Sequence, residues 1–301
     1  MVRKKYKIYT QEGIFFEEND LLTFSSAISC PYIAIPTSYL PAQSQSYVFI
    51  TPDNIAIGGN PSGGDVVAVY VQADSALHFT RASFGKYQNG EEITVGGKNA
   101  KVFTGFSKKR FASAEDVPWK DYREVIRKVT FQNGETNVFS TDYWFYGFTN
   151  LETVEEFLPT VDTHAILYIY KSAKCMFDGC ERLTNVGIVI SNDSPCFNNT
   201  SSMFRYCSSL VELSLCALYT DTILDCSEMF SGDSNLETIG MTASSSQEVQ
   251  FENATRSDNM FAGCVKLPNF DPEVVDNFNA ADESQGGYLS YSECTTIENN
   301  I

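Results

Sequence analysis

The segments Met176-Phe-Asp-Gly-Cys-Glu-Arg-Leu183, Ser202-Met-Phe-Arg-Tyr-Cys-Ser-Ser-Leu210 and Asn259-Met-Phe-Ala-Gly-Cys-Val-Lys-Leu267 share one pattern. In each of them Phe follows Met, Cys stands three residues after the Phe, and Leu stands six residues after it. The segments Trp144–Leu151 and Met229–Leu236 keep the Phe and the Leu, so the chain contains five copies spaced 26 to 32 residues apart. Self-similarity at a period of about 20–50 residues is typical of repeat architectures.

Each copy changes its periodicity along its length. Phe177, Cys180 and Leu183 are three positions apart, which predicts one side of a short helical turn. After the Leu the pattern alternates, as in Leu210–Leu215, and alternation predicts a short half-buried strand. One copy is therefore predicted to be a turn followed by a strand. Such a unit cannot bury its apolar face alone, so neighbouring copies must stack.

These repeat segments resemble the repeats of the BspA-type leucine-rich surface proteins. The segment Val117–Phe131, which contains Trp119, is similar to the cap that precedes such arrays. The resemblance covers about residues 117–290, although Ser191–Ser201 and Thr242–Thr255 are longer or more polar than the family's common pattern. It implies adhesion or protein–protein contact, often at bacterial or protozoan surfaces, and repeats of this type also occur in bacteriophage genomes.

The predicted fold class is α+β, with two domains at residues 1–114 and 115–301. In the first third, short β-branched or aromatic runs such as Val66–Val71 alternate with Pro and Gly turns, which indicates a β-rich docking domain, a sandwich or barrel. The second domain is predicted to be a short leucine-rich-repeat solenoid of about five turn-plus-strand repeats. Pro118, at a predicted first helical turn, lies near the boundary.

The charge is divided unevenly along the chain. The whole sequence has 21 basic and 38 acidic residues, a net charge of −17. Residues 1–128 contain 15 basic and 13 acidic residues, whereas residues 129–301 contain 6 and 25. An acidic repeat half argues against nucleic-acid binding, which needs cationic surface. The acidity is explained by a solvated surface, with a basic partner or a divalent cation as the alternative.

No enzyme or membrane signal stands out in the sequence. No stretch approaches the roughly 18–20 apolar residues of a membrane span, and no apolar core of signal-peptide length follows the basic N-terminus. The Gly-rich segment 58–65 lacks the Gly-Lys-Ser/Thr ending of a phosphate loop, and no Gly-x-Ser-x-Gly elbow occurs. His78 and His164 each lie near an Asp, as chance readily supplies. We therefore expect no enzymatic activity, no membrane insertion and no cofactor.

The cysteines are expected to be reduced and structural. The chain has nine of them, without a Cys-x-x-Cys pair, which argues against a zinc site. Cys180, Cys207 and Cys264 share one repeat position that faces the predicted core, where cysteine serves as a small buried hydrophobe.

The function expected from the sequence is that of a non-enzymatic binding or adhesion protein. The N-terminal domain would dock to assembly proteins, and the repeats would recognise a host surface protein or a glycan; self-association into a homo-oligomer is compatible with this. Because adhesin-like repeats occur here without a secretion signal, we expect a structural component of a phage or phage-like particle, made in the cytoplasm. A bacterial cell-surface adhesin of the leucine-rich-repeat type is the alternative, followed by an intracellular scaffold and by an enzyme with a site of scattered residues.

The sequence also predicts which residues would contact a partner. If the repeats bind through their strands, the contacts lie on the solvent-facing alternates of those strands. These residues are Asn185, Gly187, Glu212, Ser214, Thr238 and Gly240.

Overall fold

The computed structural model of the chain describes residues 33–36, 47–50, 56–59, 64–132, 134–156, 164–192, 194–215, 217–241, 251, 253–276 and 287–289. The chain divides into two compact units. The first unit comprises residues 1–74 and 79–104, and the second comprises residues 75–78 and 105–301. The predicted boundary at residues 114/115 lies within the second unit.

The first unit is built from short strands. In chain order they are β1 (Ile33–Pro36), β2 (Tyr47–Ile50), β3 (Ala56–Gly59), β4 (Asp65–Val71), β5 (Ala76–Ala82), β6 (Glu92–Val95) and β7 (Lys98–Phe103). Of β5, residues 79–82 belong to this unit and residues 76–78 to the second. Strands β1, β2 and β3 form an antiparallel sheet in that order. In a second sheet, β4 lies between β5 and β7, and β6 lies on the other side of β7. Strand β7 is antiparallel to both β4 and β6. Strand β4 is buried along almost its whole length, as expected for a run of β-branched residues.

The second unit contains parallel strands. In chain order they are β8 (Lys128–Phe131), β9 (Gly134–Ser140), β10 (Thr153–Glu156), β11 (Ala165–Ser172), β12 (Asn185–Gly187), β13 (Val189–Ser191), β14 (Glu212–Leu215) and β15 (Thr238–Met241). Strand β10 pairs with β8 and β12, β11 pairs with β9 and β13, and β14 pairs with β15. All of these pairings are parallel, and β14 with β15 forms a two-stranded sheet of its own.

The fold predicted from the sequence, an α+β protein with a sandwich or barrel followed by a leucine-rich-repeat solenoid, is wrong. Among the described residues there is no α-helix, and the helical segments are three single turns of 3-10 helix at residues 72–74, 114–116 and 120–122. The chain is rich in strand, and the strands of the repeat region are divided among separate sheets rather than joined in one continuous array.

The reason lies in the backbone on either side of each repeat phenylalanine. One residue two positions before the Phe and one residue two positions after it adopt the left-handed conformation. The former are Tyr143, Cys175, Ser202, Glu228 and Asn259, and the latter are Gly147, Gly179, Tyr206, Gly232 and Gly263. A left-handed residue ends an α-helix. The three-residue spacing of Phe, Cys and Leu therefore belongs to consecutive tight turns, closed by bonds such as Cys180 N–H to the Phe177 carbonyl at 3.0 Å.

The repeat phenylalanines form a column of stacked rings, which we call the phenylalanine column. It consists of Phe145, Phe177, Phe204, Phe230 and Phe261. Successive ring centroids are 5.3, 5.3, 6.1 and 5.6 Å apart, with the ring planes within 19° of parallel. All five side chains are fully buried, so the prediction that they form the core of the repeats is confirmed.

Aromatic residues close both ends of the phenylalanine column. Trp119 is fully buried, its ring lies 6.4 Å from that of Phe145, and its indole N–H donates to the Trp144 carbonyl at 2.7 Å. At the other end, Tyr288 packs its ring edge-to-face against Phe261 at 5.1 Å. Its hydroxyl donates to the Val274 carbonyl at 3.0 Å. Both ends of the column are thus covered by a side chain that also satisfies a backbone carbonyl.

Main-chain hydrogen bonds join each copy to the next. The amide of each Phe from 145 to 230 donates to the carbonyl of the residue that precedes the next Phe, at 2.8–2.9 Å. The repeat cysteines add a bond of their own, because the thiols of Cys180, Cys207 and Cys264 donate to a phenylalanine carbonyl of the preceding copy at 3.0–3.2 Å. The prediction that these cysteines are buried is confirmed.

Asp233 occupies the cysteine position in the fourth copy. It is fully buried, and neither carboxyl oxygen has a hydrogen-bond partner among the residues that the structure describes. Burial raises the pKa of Asp233 well above its ordinary value, because a charged carboxylate is strongly disfavoured away from water. The folded protein therefore favours the protonated form of Asp233.

The central ring of the column provides a test of the core. Phe204→Ala removes a ring packed between Phe177 and Phe230 and leaves a cavity, so the free energy of unfolding should fall by about 3–5 kcal/mol. Val265→Ala is the control, because Val265 is 62% exposed and should change stability by no more than about 0.5 kcal/mol. Denaturant titration of both variants gives the comparison, and an unchanged midpoint for Phe204→Ala would show that the column is not the core.

Asp233 makes the stability depend on pH in a defined direction. The unfolded chain releases this proton near pH 4, whereas the folded chain keeps it. Between the two pKa values the folded state therefore binds one more proton, and stability falls as pH rises, by up to about 1.4 kcal/mol per pH unit. Asp233→Cys restores the residue of the other copies and removes this contribution.

The measurement is the free energy of unfolding of the wild type and of Asp233→Cys from about pH 4.5 to 7.5, under reducing conditions. All other titrating groups are common to the two proteins, so the difference between the curves isolates Asp233. The stabilisation by Asp233→Cys should grow as pH rises from 4.5 and level off once pH exceeds the raised pKa of Asp233 in the folded protein. Two parallel curves would contradict a raised pKa at Asp233.

Candidate functional site

The sheet formed by β9, β11 and β13 has one face that is open to solvent. Its exposed or half-buried side chains alternate with buried ones, as the pleat of a strand requires. On β9 they are Glu135, Asn137 and Phe139, and on β11 they are Ile166, Tyr168 and Tyr170. The register places Asn137 beside Tyr168. Polar and aromatic groups from neighbouring strands are therefore brought together on this face.

Phe139 and Tyr170 form an exposed aromatic pair at one end of this face. Their rings are stacked, with centroids 5.9 Å apart and an angle of 26° between the planes. The pairing of β9 with β11 shifts register between Ile169 and Ser172. Phe139 is 37% exposed and Tyr170 is 50% exposed. Contiguous exposed aromatic surface of this kind is typical of a binding site rather than of a solvated sheet face.

A surface cleft of about 490 Å³ lies over this pair, and we call it the aromatic cleft. Besides Phe139 and Tyr170, its polar lining consists of Ser107, Lys108, Glu135, Asn137, Tyr168 and Ser194. Its volume falls within the range of small-molecule sites, about 300–1,000 Å³. The amide of Phe139 donates to the Ser107 carbonyl at 2.6 Å. This bond holds the segment that contains Lys108 against β9.

The hydroxyl of Tyr170 is held at the rim of the aromatic cleft. Its hydrogen bond with Cys196 raises the pKa of Tyr170, so the phenol keeps its proton and remains a donor. The amide of Cys196 donates to the hydroxyl of Ser194 at 3.2 Å. The turn at residues 194–196 thus positions the Ser194 hydroxyl and the Cys196 thiol beside the Tyr170 hydroxyl.

The six residues predicted as contacts lie on other strands. Asn185 and Gly187 are exposed on β12, and Glu212 is exposed on β14. Ser214 and Thr238 are half-buried, whereas Gly240 is buried on β15. The register sets Glu212 beside Thr238 and Ser214 beside Gly240, so these four are brought together, while Asn185 and Gly187 belong to a different sheet. None of the six lines the aromatic cleft, and binding through them stays a prediction.

The two histidines do not line the aromatic cleft either. His78 is buried, and its Nδ1 lies 2.7 Å from the Thr130 hydroxyl. His164 lies beside Glu156, with its Nδ1 3.1 Å from Oε1. The same carboxylate oxygen accepts the amide of Ala165 at 2.9 Å. His78 therefore contacts a hydroxyl within β8, and His164 contacts the last residue of β10.

Phe139, Tyr170 and Lys108 were not identified from the sequence. The signal was present in Ile166-Leu-Tyr-Ile-Tyr170, an alternating aromatic and aliphatic run that predicts a strand. Glu135-Thr-Asn-Val-Phe139 alternates in the same way. Nothing in either run indicates that the two strands pair or that the two rings stack.

Comparison with protein-family models, with curated proteins and with solved structures gives no match to this chain. The resemblance to BspA-type repeats therefore depends only on the repeat segments themselves. None of the helical segments in the part of the chain that the structure describes has the length and apolarity needed to cross a membrane. The same residues contain no cluster of three or more His, Cys, Asp or Glu side chains that could hold a metal ion.

Proposed function

We propose that this protein is a non-enzymatic glycan-binding protein and that it binds through the aromatic cleft. The observation that supports this most directly is the stacked, exposed pair of Phe139 and Tyr170 among hydroxyl and amide groups. A sugar ring has an apolar face of C–H groups and an edge of hydroxyls. Flat aromatic surface accommodates the former, and convergent polar side chains accommodate the latter.

The polar lining supplies both kinds of hydrogen-bonding group. The Asn137 side chain has a donor and an acceptor end, and the hydroxyls of Tyr168 and Ser194 can donate or accept. These groups lie on strands or on a turn fixed by hydrogen bonds, so their positions are set before the ligand arrives. A preorganised site of this kind loses less conformational entropy on binding.

The lining supports binding rather than glycoside cleavage. Most glycosidases use a pair of carboxyl groups on either side of the scissile bond. Among the described residues that line the aromatic cleft, Glu135 is the single carboxylate. The alternative of an enzyme with a site of scattered residues is therefore not favoured at this cleft.

The test is binding of the purified full chain to an immobilised panel of bacterial cell-surface glycans. Tyr170→Ala removes half of the aromatic pair and should weaken binding about tenfold, because a lost stacking contact costs on the order of 1.4 kcal/mol. Phe84→Ala is the matched control, since Phe84 is the most exposed aromatic side chain among the described residues, at 78%, and does not line the cleft. It should bind like the wild type.

The partner contacts that the sequence predicts on β14 are the alternative binding surface to the aromatic cleft. In the double variant Glu212→Lys with Ser214→Lys, two side chains of β14 are replaced by long cations without altering the aromatic cleft. We expect this variant to retain glycan binding. Loss of binding in the double variant, with full binding in Tyr170→Ala, would place the site on β14 and contradict the proposal. The denaturation midpoint of each variant separates loss of binding from loss of folding.

We also infer that the protein is displayed on a phage or phage-like particle, with a bacterial cell surface as the alternative. The resemblance of the repeats to adhesion repeats supports both locations, and the strongly acidic second half suits a protein present in many exposed copies. Specific antibody should detect the chain in purified virions. Detection in a cell-envelope fraction of particle-free cells would instead favour the surface adhesin.

A further inference from the structure

We propose that the aromatic cleft selects an acidic sugar, with the ligand's carboxylate or sulfate bound by Lys108. This inference rests on the glycan-binding function proposed above and specifies the chemistry of the ligand. It derives from the position of Lys108, from the charges around it, and from the separation of Lys108 and Glu135 along the cleft.

Lys108 lies at the aromatic end of the cleft. It lines the cleft and is exposed, and it directly follows Ser107, whose carbonyl accepts the amide of Phe139. A sugar stacked on Phe139 and Tyr170 would therefore have this ammonium group at its edge. Among the described residues Lys108 has no carboxylate in ion-pair distance, since it is absent from every ion pair that they form.

Two arginine side chains of the second unit are neutralised by the protein itself. Arg110 pairs with Asp142 at 2.6 Å. Arg205 makes two bonds to Asp178, at 3.0 and 2.7 Å, and a third to Glu228 at 2.7 Å. Arg205 therefore links its own copy to the copies on either side of it. Lys108 differs from them because its charge is available to a ligand.

Glu135 lies on the same face but at the opposite end of β9 from the aromatic pair. Its carboxylate accepts a hydrogen bond from the Asn137 side chain at 3.5 Å. Phe139 stands four positions after Glu135 on the strand, so the two backbone positions are about 13 Å apart at about 3.3 Å per residue. This exceeds the Debye length of about 8 Å at physiological ionic strength, so repulsion between Glu135 and an anion at Lys108 is largely screened. Glu135 can instead accept hydrogen bonds from neutral hydroxyls of the same ligand. The cleft is therefore polar along its length, with the anion at the aromatic end.

The acidity of the rest of the second half limits how many negative charges the ligand can carry. Residues 129–301 contain 25 acidic and 6 basic residues, and a uniformly sulfated polymer would be repelled by that surface. A glycan with a single acidic unit avoids this repulsion. The chemistry of the cleft thus matches a uronic acid, a sialic acid or a singly sulfated sugar.

The experiment compares matched pairs of sugars that differ by the acidic group. NMR titration of the full chain is performed with methyl β-glucuronide and methyl β-glucoside, with the corresponding galactose pair, and with a sialoside and its desialylated form. In at least one pair the acidic member should bind about fivefold more tightly to the wild type, as expected for an exposed ion pair. This preference should decrease as salt is raised.

Two lysine variants test whether Lys108 causes the preference for the acidic sugar. Lys108→Gln should remove the difference between the acidic and the neutral member while leaving neutral binding unchanged. Lys109→Gln is the control, because Lys109 is also exposed but does not line the cleft, and it should keep the preference. Equal binding of acidic and neutral sugars, or a preference that survives Lys108→Gln, would overturn this inference and leave the glycan-binding function standing. Absence of binding to every sugar would contradict both proposals.

Discussion

The second unit depends on the pair of left-handed residues that flank each repeat phenylalanine. Together they turn the backbone so that the amide of one copy meets a carbonyl of the next, while the phenylalanine ring points into the core. The ring then shields these bonds from water, and a buried backbone hydrogen bond that lacked a partner would be costly. Stacked rings and main-chain bonds are therefore two results of one backbone conformation, from Tyr143 through Asn259.

The sequence was sufficient to predict the core of the repeats but not their backbone. Phe, Cys and Leu at three-residue spacing predicted one buried side, and the structure confirms that side. The same spacing predicted a helical turn, which is wrong. A useful signal was overlooked, since glycine stands two residues after the Phe in four copies, at Gly147, Gly179, Gly232 and Gly263. Glycine at a fixed repeat position indicates a left-handed turn, because it adopts positive φ without steric cost.

The aromatic cleft could be predicted only in part. Alternation in the runs that end at Phe139 and Tyr170 indicates two strands and their exposed sides. Their meeting depends on the pairing of β9 with β11, which sets Val138 beside Ile169, and the position of Lys108 depends on a bond between Ser107 and β9. Both are contacts between segments distant in sequence, which periodicity within one segment does not encode. The predicted contacts on β14 and β15, in contrast, followed from local alternation alone.

Bonding between copies through the main chain has a consequence for how this protein can change over generations. The amide-to-carbonyl bonds that join the copies require no particular side chain, and the distance between phenylalanines already varies from 26 to 32 residues. Substitutions and short insertions on the outside should therefore accumulate with little loss of stability. Gly232 is an exception, because a Cβ there would lie 2.3 Å from the Tyr206 ring. Proteins that diverge from this chain should therefore keep the left-handed turns beside each phenylalanine, while their exposed residues come to differ.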